Sequence, residues 1–167
     1  WSFEPILAPE VPQVHDSDWP INPIDFFILS KLEAQGMRPS KEADAATLAR
    51  RLHLDVTGLP GDVSTVRRFD ASENPQDYER MIDGLLADEG FGEKMSTHWL
   101  DLVRYADTVG YHGDQPYSVW PYRDYVIDAF NQNMPFDQFT CEQIAGDLMP
   151  KATRKQKIAS GFNRLHM

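Results

Sequence analysis

The chain has 167 residues, with 26 acidic against 16 basic side chains and a formal net charge of −10. This length predicts one domain with a sizeable core, and the negative charge argues against duplex nucleic acid or an anionic membrane surface as partners, because both require a basic face. The single cysteine, Cys141, excludes an internal disulfide and a Cys-x-x-Cys-His site for covalent haem attachment. No apolar run reaches the roughly 18 residues of a membrane span, so membrane insertion is not expected.

The N-terminal part is irregular, and the first helix signal comes after it. Residues 1–21 are rich in proline, which disfavours helix at the preceding residue, and we expect an extended arm or linker there. Asn22-Pro23 then combines an N-cap residue with proline at the first helical position. An apolar repeat from Ile24 through Ile28 predicts a helix that ends at Gly36. We expect residues 22–167 to form a single helical domain, excised from a longer multidomain protein.

Three further helices follow from similar local signals. Asp44 is a predicted N-cap, and Gly58 before an apolar residue and Pro60 resembles a C-terminal glycine cap. A short helix is expected after Asp62 and a fourth from about Pro75. Their predicted inward positions are Leu48, Leu52, Val56, Val63, Val66, Phe69, Tyr78, Met81, Ile82, Leu85 and Leu86.

The fifth predicted helix, about Gly92 to Asp107, carries an apolar stripe beside a polar one. The apolar stripe recurs at helical spacing and should face a core. Polar residues on the neighbouring face are His98, Asp101 and Tyr105. The inward positions are Met95, Trp99, Leu102 and Ala106.

A loop of about a dozen residues, Thr108 to Trp120, separates this helix from three more. Its length suggests a functional role in a compact helical domain. Pro121, Pro135 and Thr153 predict the starts of the last helices, the final one ending at Gly161. The predicted apolar positions are Tyr122, Tyr125, Val126, Ala129 and Phe130 on the sixth helix and Phe136, Phe139 and Ile144 on the seventh. No period-2 strand pattern is present. The sequence therefore predicts an all-α fold, an irregular bundle of about seven or eight helices.

Six separated motifs stand out from about Asn22 onward. They are Asn22-Pro-Ile-Asp25 with Ile28-Leu29, Leu54-Asp-Val-Thr-Gly-Leu-Pro60, His98-Trp-Leu-Asp101 with Arg104-Tyr-Ala-Asp107, Tyr122-Arg-Asp-Tyr125, Pro135-Phe-Asp-Gln-Phe139 and Ala145-Gly-Asp147. In these motifs the chain resembles a known family, the second of the planctomycete cytochrome-c-associated domains, whose function is unknown. Phe26 and Cys141 depart from the pattern, which has a basic residue at each of these positions.

The resemblance implies a cellular context and no reaction. Such domains occur in large exported proteins, often after a c-type cytochrome module and sometimes with carbohydrate-binding modules. It therefore implies an extracytoplasmic location, with a c-type cytochrome module or another domain of the same polypeptide as partner and carbohydrate as a further candidate. We expect a scaffold or interaction module, and the alternative is a hydrolase acting on polysaccharide.

The alternative depends on one cluster of polar residues near the fifth helix and the loop. Histidine and carboxylates at helical spacing converge on metal ions in other proteins, and paired carboxylates serve as acid and base in glycoside hydrolysis. The metal candidates are His98, Asp101 and Asp107, so a divalent metal is the cofactor to consider. The whole candidate cluster is His98, Asp101, Arg104, Tyr105, Asp107, Tyr111, His112, Asp114, Arg123 and Asp124.

The structural interpretation of the same cluster is a salt-bridge network between two helices. Arg104 and Arg123 would pair with the aspartates, because charges near a core need partners. Tyr111 and Tyr117 either stack on a sugar or close the core under the loop. Gly146 is expected to be a helix C-cap and Cys141 a small packing residue. No spacing of histidines or methionines singles out a pair of haem ligands.

Overall fold

The computed structural model describes residues 4–5, 7–70, 72, 74, 76–109 and 113–165. In these residues the prediction of an all-α fold is confirmed, since they contain helices and one isolated antiparallel bridge, Thr108 to Pro116, but no strand. None of the helices in this part of the chain has the length and apolar character needed to cross a membrane. The α-helices are α1 Pro23–Ala34, α2 Ala45–Val56, α3 Val63–Asp70, α4 Gln76–Leu86, α5 Glu89–Leu102, α6 Trp120–Asn131, α7 Phe136–Ala145 and α8 Arg154–Ala159, with 3₁₀ turns at Gly146–Leu148 and Ser160–Arg164.

The chain divides into two compact units, Trp1–Ala43 and Asp44–Met167. In the first unit, Asn22 caps α1 as predicted, and its capping box is completed by the Asp25 carboxylate. The predicted inward face is wrong in part, because Ile24 and Ile28 are exposed while Leu29 is buried. The extended arm over residues 1–21 and the domain limit at residue 22 stay predictions.

The N-terminal part of the second unit contains α2, α3 and α4. Asp44 caps α2 by accepting a hydrogen bond from the Thr47 amide, and Gly58 follows that helix with a φ of +74°, so both predicted caps are confirmed. Val63 and Leu86 are exposed although their spacing predicted burial. The predicted start at Pro75 lies outside the described residues.

The principal core of the second unit lies among α5, α6, α7 and α8. Its buried apolar residues are Val103, Tyr122, Tyr125, Val126, Ala129, Phe139 and Ala159. Helix α6 supplies four of these seven, in agreement with its predicted inward face. Helices α5 and α6 therefore pack closely and place the segment after α5 beside the start of α6.

Two polar residues of α7 are buried in this core. The Gln143 side-chain oxygen accepts hydrogen bonds from the Trp99 indole at 3.0 Å and from the Tyr122 hydroxyl at 2.5 Å. Glu142 accepts from the Tyr125 hydroxyl at 3.0 Å. Because buried polar groups need partners, these bonds fix how α5, α6 and α7 meet. Apolar periodicity alone does not predict this network.

The predicted C-cap at Gly146 is confirmed, whereas the predicted packing role of Cys141 is wrong. Gly146 occupies the C-cap position but with an ordinary helical φ of −59°, so the left-handed conformation is not its reason. A Cβ there would lie 2.1 Å from the Gln156 carbonyl oxygen, and the close approach of α8 explains the glycine. Cys141 is exposed, which contradicts its predicted packing role.

Candidate functional site

The C-terminus of α5 determines where the predicted polar residues lie. The helix ends at Leu102, several residues before the predicted end at Asp107. The Arg104 amide donates to the Asp101 carbonyl oxygen at 3.0 Å and the Tyr105 amide to the Leu100 carbonyl oxygen at 2.9 Å. With φ of +57° at Arg104, these bonds form a Schellman cap. The prediction that Tyr105 lies on the helical polar stripe is therefore wrong.

Beyond the cap the backbone is no longer helical, and neighbouring side chains separate into two sets. Tyr105 and Asp107 are hydrogen-bonded to each other, and both lie in the field of the Arg123 charge. Arg104, Ala106 and Thr108 line a pocket. A change from a period of 3.6 to a period of 2 accounts for this alternation. It also explains why Ala106, predicted to face the core, is exposed. Leu102, the last residue of α5, was predicted to face the core as well and is exposed, whereas Val103 is buried.

The first set joins four of the ten predicted site residues. The Tyr105 hydroxyl donates to an Asp107 carboxylate oxygen at 2.8 Å, and Arg123 binds its neighbour Asp124 with Nη2 at 3.0 Å from Oδ1. Burial of the phenol and its bond to Asp107 raise the pKa of Tyr105 to about 12. The hydrogen bond to Asp124 raises the pKa of the Arg123 guanidinium. This cluster consists of groups that satisfy one another.

The remaining predicted residues are not brought into that cluster by any contact in the described part of the chain. His98 and Asp101 are exposed on α5, and Asp114 lies in the following loop with a partner of its own. Tyr111 and His112 lie outside the described residues. Over the described ranges, no three His, Cys, Asp or Glu side chains are grouped to hold a metal ion, and the metal candidates His98, Asp101 and Asp107 stay a prediction.

The predicted salt-bridge network takes a smaller form. Arg123 and Asp124 are adjacent on α6, and their side chains are 42% and 49% exposed, so their pair does not connect two helices. Arg104 forms no ion pair with a described carboxylate. An exposed pair of this kind contributes little stability. Apolar packing of Val103 and Tyr105 joins the segment after α5 to α6, and the charge of Arg123 adds an attraction to Tyr105 and Asp107.

The second set of side chains lines a pocket of about 370 Å³. Arg104 lies near the middle of the second unit's sequence and Arg164 near its end, and both line this pocket. The Arg164 guanidinium carbon lies 5.3 Å from the centre of the Tyr117 ring. The other lining residues are Ala106, Thr108, Val109 and Leu165. Sequence reasoning missed Arg164, because only the tertiary fold places it above an aromatic ring.

A different pocket, of about 430 Å³, lies against α2, α3 and α4 and includes His53. The Nδ1 atom of this buried imidazole is 2.8 Å from the Ala49 carbonyl oxygen. A Cβ on Gly61 would lie 2.8 Å from the ring, so glycine lets the chain pass over it. Packing therefore explains why His53 is buried here. The sequence feature that accompanies this packing is Gly61, the glycine that follows Pro60.

Helix α7 and the 3₁₀ turn after it expose three apolar side chains, Phe136 and Ile144 in the helix and Leu148 in the turn, which we call the α7 stripe. These side chains are 70%, 58% and 79% exposed. The polar Thr140 lies between the first two in sequence. Beside Phe136 lies an apolar groove of about 310 Å³, whose walls include Trp99 and Met134. Phe136 and Ile144 were predicted as apolar positions of this helix, but their exposure was not predicted, and Leu148 was not among the predicted positions.

Comparison with known proteins gives one family. No curated protein and no solved structure matches the chain. A family model for PSCyt2, described as a protein of unknown function (DUF1549), matches residues 23–167. This range contains α1 to α8 and nearly all of the six motifs on which the resemblance rests. The chain belongs to the PSCyt2 family, a domain of unknown function in the planctomycete cytochrome-associated series.

Proposed function

We propose that this domain is an interaction module of a large exported protein, and that it binds the c-type cytochrome module of the same polypeptide outside the cytoplasm. The observation that carries the proposal is the α7 stripe. Exposed apolar side chains that follow one face of a helix are typical of protein contact surfaces. The adjoining groove beside Phe136 offers a concave place for an apolar side chain of the partner.

Charge defines the partner surface that would fit. The chain has a net charge of −10, and the exposed Asp137 and Asp147 flank the stripe. A matching surface on the cytochrome module combines apolar residues with a basic rim, because complementary charge accelerates association and orients the two surfaces. Such a contact weakens as salt is added.

The polar cluster supports a module more than a polysaccharide hydrolase. Glycoside hydrolysis needs two carboxyl groups that face the same substrate bond. Here the Asp107 carboxylate accepts from Tyr105 and the Asp124 carboxylate from Arg123. Each of these two acids is thus hydrogen-bonded to a side chain of the same chain, which is the arrangement expected of a structural contact.

The direct test is binding between the separately produced cytochrome module and this 167-residue chain, followed by calorimetry at low and high salt. We expect a saturable complex that Ile144→Ser and Leu148→Ser each weaken about tenfold, as central apolar contacts do. Leu59→Ser removes a similarly exposed leucine far along the chain and is the matched control. No complex, or equal affinity in all three variants, would refute the proposal.

A metal analysis distinguishes the hydrolase alternative from the interaction module. Stoichiometric metal in the purified chain, lost in both His98→Ala and Asp107→Ala, would favour a metal-assisted site there. A melting temperature that chelator lowers only in the parent protein would point the same way. In that case the interaction module would no longer be the preferred function.

A further inference from the structure

We propose that the pocket between Arg104 and Arg164 binds the oxyanion group, a carboxylate, sulfate or phosphate, of a small organic ligand. We call it the two-arginine pocket. It is separate from the α7 stripe, and its occupant is a small molecule, so it adds a function to the one proposed above.

The first argument is unused positive charge. Neither Arg104 nor Arg164 forms an ion pair with a described carboxylate, in a chain where acidic residues outnumber basic ones by 26 to 16. Guanidinium groups match carboxylate and sulfate oxygens with two parallel hydrogen bonds. Two such groups lining one pocket leave several donors for the same anion.

The second argument is orientation. Arg164 lies over the Tyr117 ring at 5.3 Å, which holds its guanidinium plane in place. Tyr117 is itself held because its amide donates to the Asp107 carbonyl oxygen at 2.8 Å. The same pair of extended segments contains the Val109 amide bonded to the Gln115 carbonyl oxygen at 3.0 Å. The pocket wall is therefore built before any ligand arrives, which lowers the entropic cost of binding.

The third argument is that an arginine, Arg104, occupies the left-handed cap position after α5. Three helices end with the same pair of Schellman hydrogen bonds, and the left-handed residue is Gly36 after α1, Asn133 after α6 and Arg104 after α5. Glycine and asparagine are the usual residues there, whereas a long side chain is strained. Strain at a residue that lines a pocket points to a role for its side chain.

The size and lining of the pocket indicate more than an inorganic ion. A volume of about 370 Å³ lies within the range of small-molecule sites. Ala106, Val109 and Leu165 provide apolar contact for a ligand body, and Thr108 and Tyr117 add hydroxyl groups. The expected ligand therefore carries its charge at one end of an organic frame.

The test is a titration of the 167-residue chain followed by amide NMR shifts, with glucuronate, inorganic sulfate and glucose as probes. We expect saturable shifts at Ala106, Thr108 and Tyr117 with glucuronate or sulfate and none with glucose. Tighter binding of glucuronate would identify a carboxylate ligand, and tighter binding of sulfate a sulfate or phosphate ester. Either result supports the proposal.

Two substitutions and one control complete the test. Arg104→Ala and Arg164→Gln should each weaken binding about tenfold or more, because each removes a charged hydrogen-bond donor. Arg154→Gln removes the same charge from the exposed start of α8 and should leave affinity unchanged. Circular dichroism establishes whether each variant is folded. If only one of the two pocket variants folds, its affinity alone is enough to test the proposal. Absence of saturable shifts, or equal weakening by Arg154→Gln, would overturn the proposal.

Discussion

The left-handed conformation at Arg104 makes a measurable prediction about stability. Its φ of +57° costs an L-residue about 1–2 kcal/mol relative to a helical conformation. Glycine avoids that cost but loses about 0.5–1 kcal/mol through its more flexible unfolded chain. Arg104 is exposed, so removal of its side chain changes little apolar burial. We expect Arg104→Gly to be more stable than Arg104→Ala by about 0.5–1 kcal/mol.

A matched pair in the middle of α5 should show the opposite order. Glu93 is exposed and lies in ordinary helix, where glycine is about 1 kcal/mol less favourable than alanine. The glycine and alanine variants at Arg104 and Glu93 are compared by urea unfolding at about 25 °C. The fluorescence of Trp99 reports on unfolding of the second unit. Equal slopes are required before midpoints are compared.

The sign of the difference decides the question. If Arg104→Gly and Glu93→Gly are both less stable than the corresponding alanine variants, the residue after α5 is not left-handed and the helix continues. The cap, the alternation of side chains after it and the two-arginine pocket would then all be wrong. A melting temperature higher by a few degrees for Arg104→Gly than for Arg104→Ala would agree with the urea result.

Three further predictions follow from the core. Gly146→Ala should lower the free energy of unfolding in urea by about 3 kcal/mol or more, because its Cβ would meet the Gln156 carbonyl oxygen. The control Gly84→Ala, whose Cβ has nothing within 4 Å, should raise that free energy by about 0.5–1 kcal/mol. Similar values for both variants would contradict the close packing of α8. Gln143→Leu should cost about 1–3 kcal/mol and change the fluorescence of Trp99, because the Tyr122 hydroxyl loses its acceptor; a neutral effect would mean that this bond is absent. Burial raises the pKa of Tyr122 to about 12, from about 10 in an unfolded chain, so the contribution of the neutral phenol to folding stability is complete below about pH 10 and is lost as the pH rises toward 12. Tyr122→Phe should therefore lose less stability than the parent protein between these pH values. The same dependence of stability on pH in both proteins would contradict the burial of this phenol.

Local signals account for the parts of the fold that the sequence predicted well. Asn22, Asp44 and Thr153 were predicted as N-caps and accept the expected amide hydrogen bonds. A cap joins residues two or three positions apart, so the residues that determine its geometry are neighbours in the sequence. The apolar face of α6 was also predicted, because most of its turns meet the core.

The errors about burial share a physical origin, since periodicity locates an apolar face but does not say what will cover it. Leu102 and Phe136 fit their stripes and are exposed, whereas Gln143 is buried because two aromatic donors need its oxygen. Hydrogen bonds between distant residues therefore override local hydrophobicity.

The sequence by itself determined the helical class, most helix starts, the net negative charge and, through its motifs, the family. The end of α5 depended on tertiary structure, because Arg104 is not a residue that normally favours the left-handed cap. The same is true of the candidate sites. Tyr105 and Asp107 reach Arg123, and Arg104 joins Arg164, only when the chain after α5 packs against α6 and the C-terminal turn. Contacts between residues far apart in sequence require the whole core to form, and no local pattern encodes them.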